Sequence, residues 1–113
     1  MQTDKKISLD YRKKWLMQLK DIVLRHIETD KYAVFLYGSA VNNLLNAHDF
    51  DIGVIGKNKF PDKSKYEILN EVEESIIPFD VDIKDFREAK TDFKEIALKE
   101  IEVWNKPKDI KIN

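Results

Sequence analysis

Two apolar runs of this chain, "DFDIGVI" at 49–55 and "FDVDIKDF" at 79–86, each carry aspartates one residue apart. Aspartate is a poor strand former, yet the residues around it are β-branched and aromatic, as in a strand. Side chains alternate along a strand, so Asp49 and Asp51 share one face, and Asp80 and Asp82 share one face of the other run. Carboxylates gathered in this way repel, and something cationic is the usual remedy.

The segments around these runs supply the rest of a small fold. From Ser8 to about Thr29, Trp15, Leu16, Leu19, Ile22, Val23, His26 and Ile27 recur at three- and four-residue steps and predict an amphipathic helix. "YAVFLY" at 32–37 reads as a buried strand that stops at Gly38, and a short helical piece over 41–45 follows. The loop "GKNKFPDKS" leads, with Ser64 or Asp62 as cap, into a helix over 63–75 that buries Tyr66, Leu69, Val72 and Ile76. A last helix over 91–104 carries Phe93, Ile96, Ala97, Ile101 and Trp104 on one side. The expected class is α+β in the order αβαβαβα, with a mixed three-stranded sheet backed by helices. At 113 residues this is one domain, with a core over about 8–104 and a loose tail at 105–113.

Charge and composition narrow the function. Twenty Lys and Arg against 21 Asp and Glu leave no net basic field for non-specific nucleic-acid binding, so function comes from local sites. The absence of cysteine removes thiolate ligands and cysteine nucleophiles together. The apolar runs are too short to span a bilayer and "MQTDKKISLDYRKK" lacks a signal-peptide core, so a cytoplasmic protein is expected.

Hard oxygen ligands without histidine or cysteine favour magnesium or manganese, and magnesium completes its shell with water and substrate phosphates. A nucleoside triphosphate is the natural co-ligand. Gly38 and Ser39, at a strand end, present backbone N–H groups and a hydroxyl to phosphate oxygens, and glycine permits close approach. Taken singly, an Asp-x-Asp or a Gly-Ser turn is usually a solvated strand end. In this order, with further aspartates inside a third strand, the combination is far more specific.

"YGSAVNNLLNAHDFDI" and "IPFDVDIKDF" resemble the minimal nucleotidyltransferases of the DNA polymerase β superfamily, and the resemblance runs from the first helix to Trp104. It implies transfer of a nucleoside monophosphate, AMP from ATP, to a hydroxyl acceptor with release of pyrophosphate. It assigns Asp49, Asp51 and Asp82 as metal-binding and catalytic carboxylates, with Asp80 as the alternative to Asp82, and Gly38 and Ser39 as nucleotide-binding residues. Minimal members are often paired with a helical HEPN-type protein in toxin–antitoxin systems, which makes such a protein the implied partner and acceptor. The chain departs from the family pattern at Ala40, Asn43 and His48, where arginine, glycine and serine are common. The departures at Ala40 and Asn43 carry the alternative, a catalytically silent protein that acts as a stoichiometric binding partner. A nuclease fits less well, because the Asp-x-Asp strand has no lysine or histidine within it. Trp15, Trp104, Tyr11, Phe60 and Phe86 exceed what a small core needs and are compatible with a partner surface, and homo-oligomerisation stays open.

Overall fold

Residues 32–37 are buried along their whole length because the strand they form is covered on both faces. The structure, a computed structural model, describes the backbone of residues 2–112 and the side chains of 9–112. Its elements are α1 (Gln2–Arg25), β1 (Tyr32–Tyr37), α2 (Ser39–Asn42), β2 (Asp49–Gly56), α3 (Asp62–Glu74), β3 (Asp80–Asp85), α4 (Thr91–Ala97) and β4 (Glu102–Asn105). The fold is α+β, with a mixed four-stranded sheet in the order β3-β2-β1-β4. Strand β1 runs antiparallel to β2 and β4, and β2 runs parallel to β3 across the α3 connection.

Alternation divides the sheet into two faces. Tyr32, Val34 and Leu36 of β1, Phe50, Ile52 and Val54 of β2, and Ile83 of β3 pack with Leu19, Ile22 and Val23 of α1 and Ile68 and Val72 of α3. The opposite face carries a smaller cluster of Phe35, Tyr37 and Phe86, covered by Ala97, Leu98 and Ile112. A side chain at Gly53 would overlap the Phe35 ring, so the missing Cβ lets that ring lie flat across β2. Among the described residues no helix is long and apolar enough to cross a membrane.

The sheet has one strand more than expected, and the last helix is shorter. Helix α4 stops at Ala97, and Trp104, expected on its apolar side, lies in β4 at 8% exposure within the α1/α3 core. The edge of β1 offers unpaired N–H and C=O groups, and pairing them with β4 satisfies both strands. Helix propensities differ by only about 0.7 kcal/mol or less per ordinary residue, whereas burying a large apolar side chain contributes roughly 2–3 kcal/mol. Trp104 decides the local contest in favour of the strand.

Smaller corrections have equally direct causes. Helix α1 ends at Arg25, earlier than expected, and α2 precedes its expected span by two residues. Helix α3 buries Ile68 and Val72 but leaves Tyr66 at 70% and Ile76 at 76% exposure. Tyr66 is two residues from Ile68, nearly the opposite side of a helix, and Ile76 lies beyond the last turn, where Ile77 enters the core instead. Pro61 occupies the N-cap position without a side-chain bond, so neither Ser64 nor Asp62 caps the helix. The segment expected as a loose tail packs back, with Ile110 at 5% exposure and Asp109 2.9 Å from Lys57. Phe60, Phe86 and Trp104 serve the core, which leaves Tyr11, at 53% exposure, as the solvent-facing member of the aromatic set.

One contact ties α1 to the entry of β2. The Arg12 guanidinium donates to the carbonyl oxygens of Leu44 and Ala47, at 2.8 and 2.6 Å, while lying 4.8 Å over the Phe79 ring. The loop that delivers Asp49 is thereby held from below.

Candidate active site

Because Phe50, Ile52 and Val54 are committed to the α1/α3 core, Asp49 and Asp51 must emerge on the other face of β2. The parallel register sets Asp49 against Asp80 and Asp51 against Asp82, and the antiparallel register sets Asp51 against Tyr37. Asp49, Asp80 and Asp82 are exposed and Asp51 is half-buried. The structure thus brings all four sequence-predicted carboxylates together on one face, with Asp82 in the row of Asp51 and Asp80 in the row of Asp49.

Gly38 closes this row from the β1 side. Its φ of 78° and ψ of −162° lie where only glycine is comfortable, and a Cβ there would come 2.5 Å from Asp51 Oδ2. The position therefore requires glycine twice over, for backbone shape and for room. Ser39 is exposed, and among the described residues its hydroxyl has no side-chain hydrogen bond, while its carbonyl accepts the Asn43 N–H at 2.9 Å. Ala40, by contrast, is 2% exposed and faces the α1/α3 core. His48 is exposed, and its carbonyl accepts the Asp80 N–H at 3.3 Å, which carries the β2–β3 pairing one step further.

The electrostatics follow from this crowding. Burial first, then the Asp82 and Asp49 carboxylates, raises the Asp51 carboxyl above its ordinary value. The same causes, burial and then Asp51 and Asp82, push the Tyr37 phenol well above the usual range, so Tyr37 remains a neutral hydroxyl beside them. None of the ion pairs among the described residues involves Asp49, Asp51, Asp80 or Asp82. Nor do three or more acidic or histidine side chains among the described residues converge closely enough to hold one metal ion by themselves.

Sequence reasoning passed over two neighbours of this row. Lys84 follows Asp82 by two residues on the same face of β3, and its Nζ lies 4.6 Å over the Phe93 ring. Phe93, from α4, packs against Tyr37 and Phe86 at ring separations of 6.1 and 5.6 Å. The alternation that placed Asp82 also places Lys84. Phe93 reaches the row only through the way α4 lies on the sheet, for which the sequence has no local signal. Asp85 is not part of the site: its carboxylate accepts the N–H groups of Phe60 and Arg87 and holds the turn after β3.

Comparison with known proteins bears on the whole arrangement. The family model described as "Polymerase beta, Nucleotidyltransferase" matches residues 17–109. No curated protein matches the sequence. Similar solved structures include a mutant of the MntA–HepT toxin–antitoxin pair, at 18% identity and TM-score 0.58, over 73% of this chain and 66% of that one. A toxin–antitoxin structure with AMP-PNP gives 18% identity and TM-score 0.58 over 75% and 71% of the two chains. A complex of tri-AMPylated Shewanella oneidensis HEPN toxin with MNT antitoxin gives 17% identity and TM-score 0.51 over 88% and 71%. At these identities the likeness is one of fold. The chain spans about two thirds of the length of the first of these chains.

Proposed function

Since the chain belongs to the polymerase β nucleotidyltransferase family, we propose that it transfers AMP from ATP to a hydroxyl on a helical HEPN-type partner, as the antitoxin-like half of a two-protein system. Magnesium or manganese is the required ion. The observation that carries the reading is the row Tyr37, Asp51, Asp82 with Gly38 pressed against Asp51. It unites an acidic edge with a glycine turn open to phosphate.

The donor set fits divalent ions. Among the described residues these carboxylates crowd one sheet edge without a lysine or arginine ion pair, and burial, followed by the Asp82 and Asp49 carboxylates, raises the Asp51 carboxyl above its ordinary value. Asp49 and Asp51, with Asp82, would hold the ions, which supply charge neutralisation on the triphosphate when bound. Water and phosphate oxygens would complete the shells.

The remaining work belongs to the chain. Gly38 and Ser39 receive the distal phosphates, the glycine by close approach and the serine through its free hydroxyl. Asp82 lies on the outer strand, accessible to an acceptor, and takes the proton as the hydroxyl oxygen attacks the α-phosphorus. The bond from that phosphorus to the bridging oxygen breaks, and pyrophosphate carries away the electron pair. Lys84, on the same face, brings the local cation that Ala40 does not.

ATP labelled at the α-phosphate, incubated with magnesium, this protein and a candidate HEPN-type helical partner, tests the reading. Label on the partner supports transfer. A second reading, the silent binding partner, draws on Ala40 and on carboxylates that do not converge unaided. Tight complex formation without label would establish it instead.

A further inference from the structure

We infer that a groove between α4 and the segment after β4 docks an acidic amphipathic helix of a protein partner, an inference that stands whether or not the chain transfers a nucleotide. The groove measures about 550 Å³, and a second hollow of about 280 Å³ shares Leu98, Lys111 and Ile112 with it, so the two form one trough. The floor is aliphatic, made of Ile55, Leu98, Ile101 and Ile112, each half-buried. Neither Gly38 nor any of the four clustered aspartates lines it.

The rim supplies the charge argument. Arg87, Lys94, Lys99, Lys106 and Lys111 line the trough, with Glu95 as the acidic residue among them. None of the ion pairs among the described residues uses any of these five cations. Asp109, two residues before Lys111, is taken by Lys57 at 2.9 Å. In a chain of net charge −1 this is a local excess, and acidic groups on the occupant offset it.

Shape decides among anionic occupants. Single-stranded nucleic acid stacks its bases on aromatic faces, and the aromatic residue of the trough, Phe86, is fully buried. A bilayer takes up apolar groups that protrude, whereas these aliphatics are recessed. A small anion would leave the aliphatic floor uncovered. A helix with apolar side chains at three- and four-residue steps fills a long trough while its acidic flanks meet the rim.

Methyl-detected NMR titration of the full chain tests this, using a synthetic peptide with Leu at helical three- and four-residue steps and Glu on its flanks. Saturable shifts are expected at the methyl groups of Ile55, Leu98, Ile101 and Ile112. Peptides with Gln for Glu, or with the same residues scrambled out of the stripe, are expected to bind on the order of tenfold more weakly. Lys99→Glu combined with Lys111→Glu, both at exposed positions, is expected to weaken the acidic peptide by about tenfold, the scale of two exposed ion pairs turned to repulsion. Lys13→Glu, exposed on α1, is expected to leave it unchanged. Absence of saturable binding, equal binding of the scrambled peptide, shifts centred elsewhere or undiminished affinity in the double variant overturns the proposal. Tighter binding of a single-stranded oligonucleotide or of phosphatidylglycerol vesicles at the same methyl groups overturns it in favour of that ligand. Self-association that the double variant loses overturns it in favour of a second copy of the chain.

Discussion

Asp51 stands between Tyr37 on one neighbouring strand and Asp82 on the other, so a single register row joins a hydroxyl that stays neutral to two carboxylates that repel. The row exists because β2 pairs antiparallel on one side and parallel on the other.

Asp82→Asn is expected to retain magnesium-dependent ATP binding and lose transfer, since it removes the carboxylate proposed to take the proton and leaves the proposed phosphate site in place. Asp49→Asn and Asp51→Asn are expected to lose both. Binding by calorimetry and label transfer to the partner, measured on the same preparations, read the difference. Loss of transfer in Asp80→Asn but not in Asp82→Asn would move the third carboxylate to the other row.

Gly38→Ala is expected to destabilise the protein by about 1–3 kcal/mol, the usual cost of a side chain in glycine-only backbone, and to abolish triphosphate binding because its methyl group meets Asp51 Oδ2. Urea unfolding and ATP titration check the two halves. Unaltered stability would mean that the backbone at 38 relaxes without strain.

Without divalent ions, Asp51→Asn is expected to melt above wild type at pH 7. Asp51 binds its proton more tightly when folded, so its ionisation opposes folding. That penalty is absent below the ordinary value of 3.8 and complete once pH has risen past the raised folded value. The advantage of the variant should therefore shrink as pH falls toward 3.8, and at pH 7 magnesium should stabilise wild type more than the variant. Differential scanning calorimetry with and without magnesium reads both.

A second acidic residue titrates the other way. Glu71 lies 2.8 Å from His26 Nε2 and pairs with Arg25, and the His26 hydrogen bond, followed by Arg25, lowers its carboxyl below 4.5. Its contribution to stability is present above 4.5 and lost as pH falls through the lower folded value. Glu71→Gln should consequently melt below wild type at pH 6 and alongside it at the acid end. A gap that persists undiminished at the acid end would assign the effect to packing between α1 and α3.

Ala40→Arg would restore the residue common in the family, yet at 2% exposure this position is part of the core. The substitution is expected to cost at least about 2 kcal/mol by overpacking and by burying a charge, and not to raise transfer. Urea unfolding measures the cost. A stable variant with faster transfer would show that the α2 turn can rotate residue 40 toward the phosphates.

What could be read from the sequence was what local rules decide. Residues 32–37 announce a strand by composition and end it at glycine, and alternation alone put Asp49 with Asp51 and Asp80 with Asp82. Strand β4 was not legible, because four residues inside a helical period become a strand only when a distant edge needs a partner. The buried face of α3 was misread for a related reason: the apolar series Tyr66, Leu69, Val72, Ile76 fits a helix that continues, and this one ends at Glu74. At the site, residue types were visible in advance, but the row that sets Asp82 rather than Asp80 beside Asp51 is a property of β2–β3 register. Phe93 joins the site through tertiary packing alone.

The position of β3 at the margin of the sheet gives its charges another consequence. Among the described residues its outer side pairs with no strand, and four of its six residues, Asp80, Asp82, Lys84 and Asp85, carry charged side chains that flank this edge above and below the sheet. Such an edge discourages the backbone of a second molecule from zipping onto it. The carboxylates are thus also a guard against aggregation, and their neutralisation to asparagine would remove that guard. Solubility and the proposed transfer chemistry would therefore draw on the same side chains, and a change made for one would alter the other.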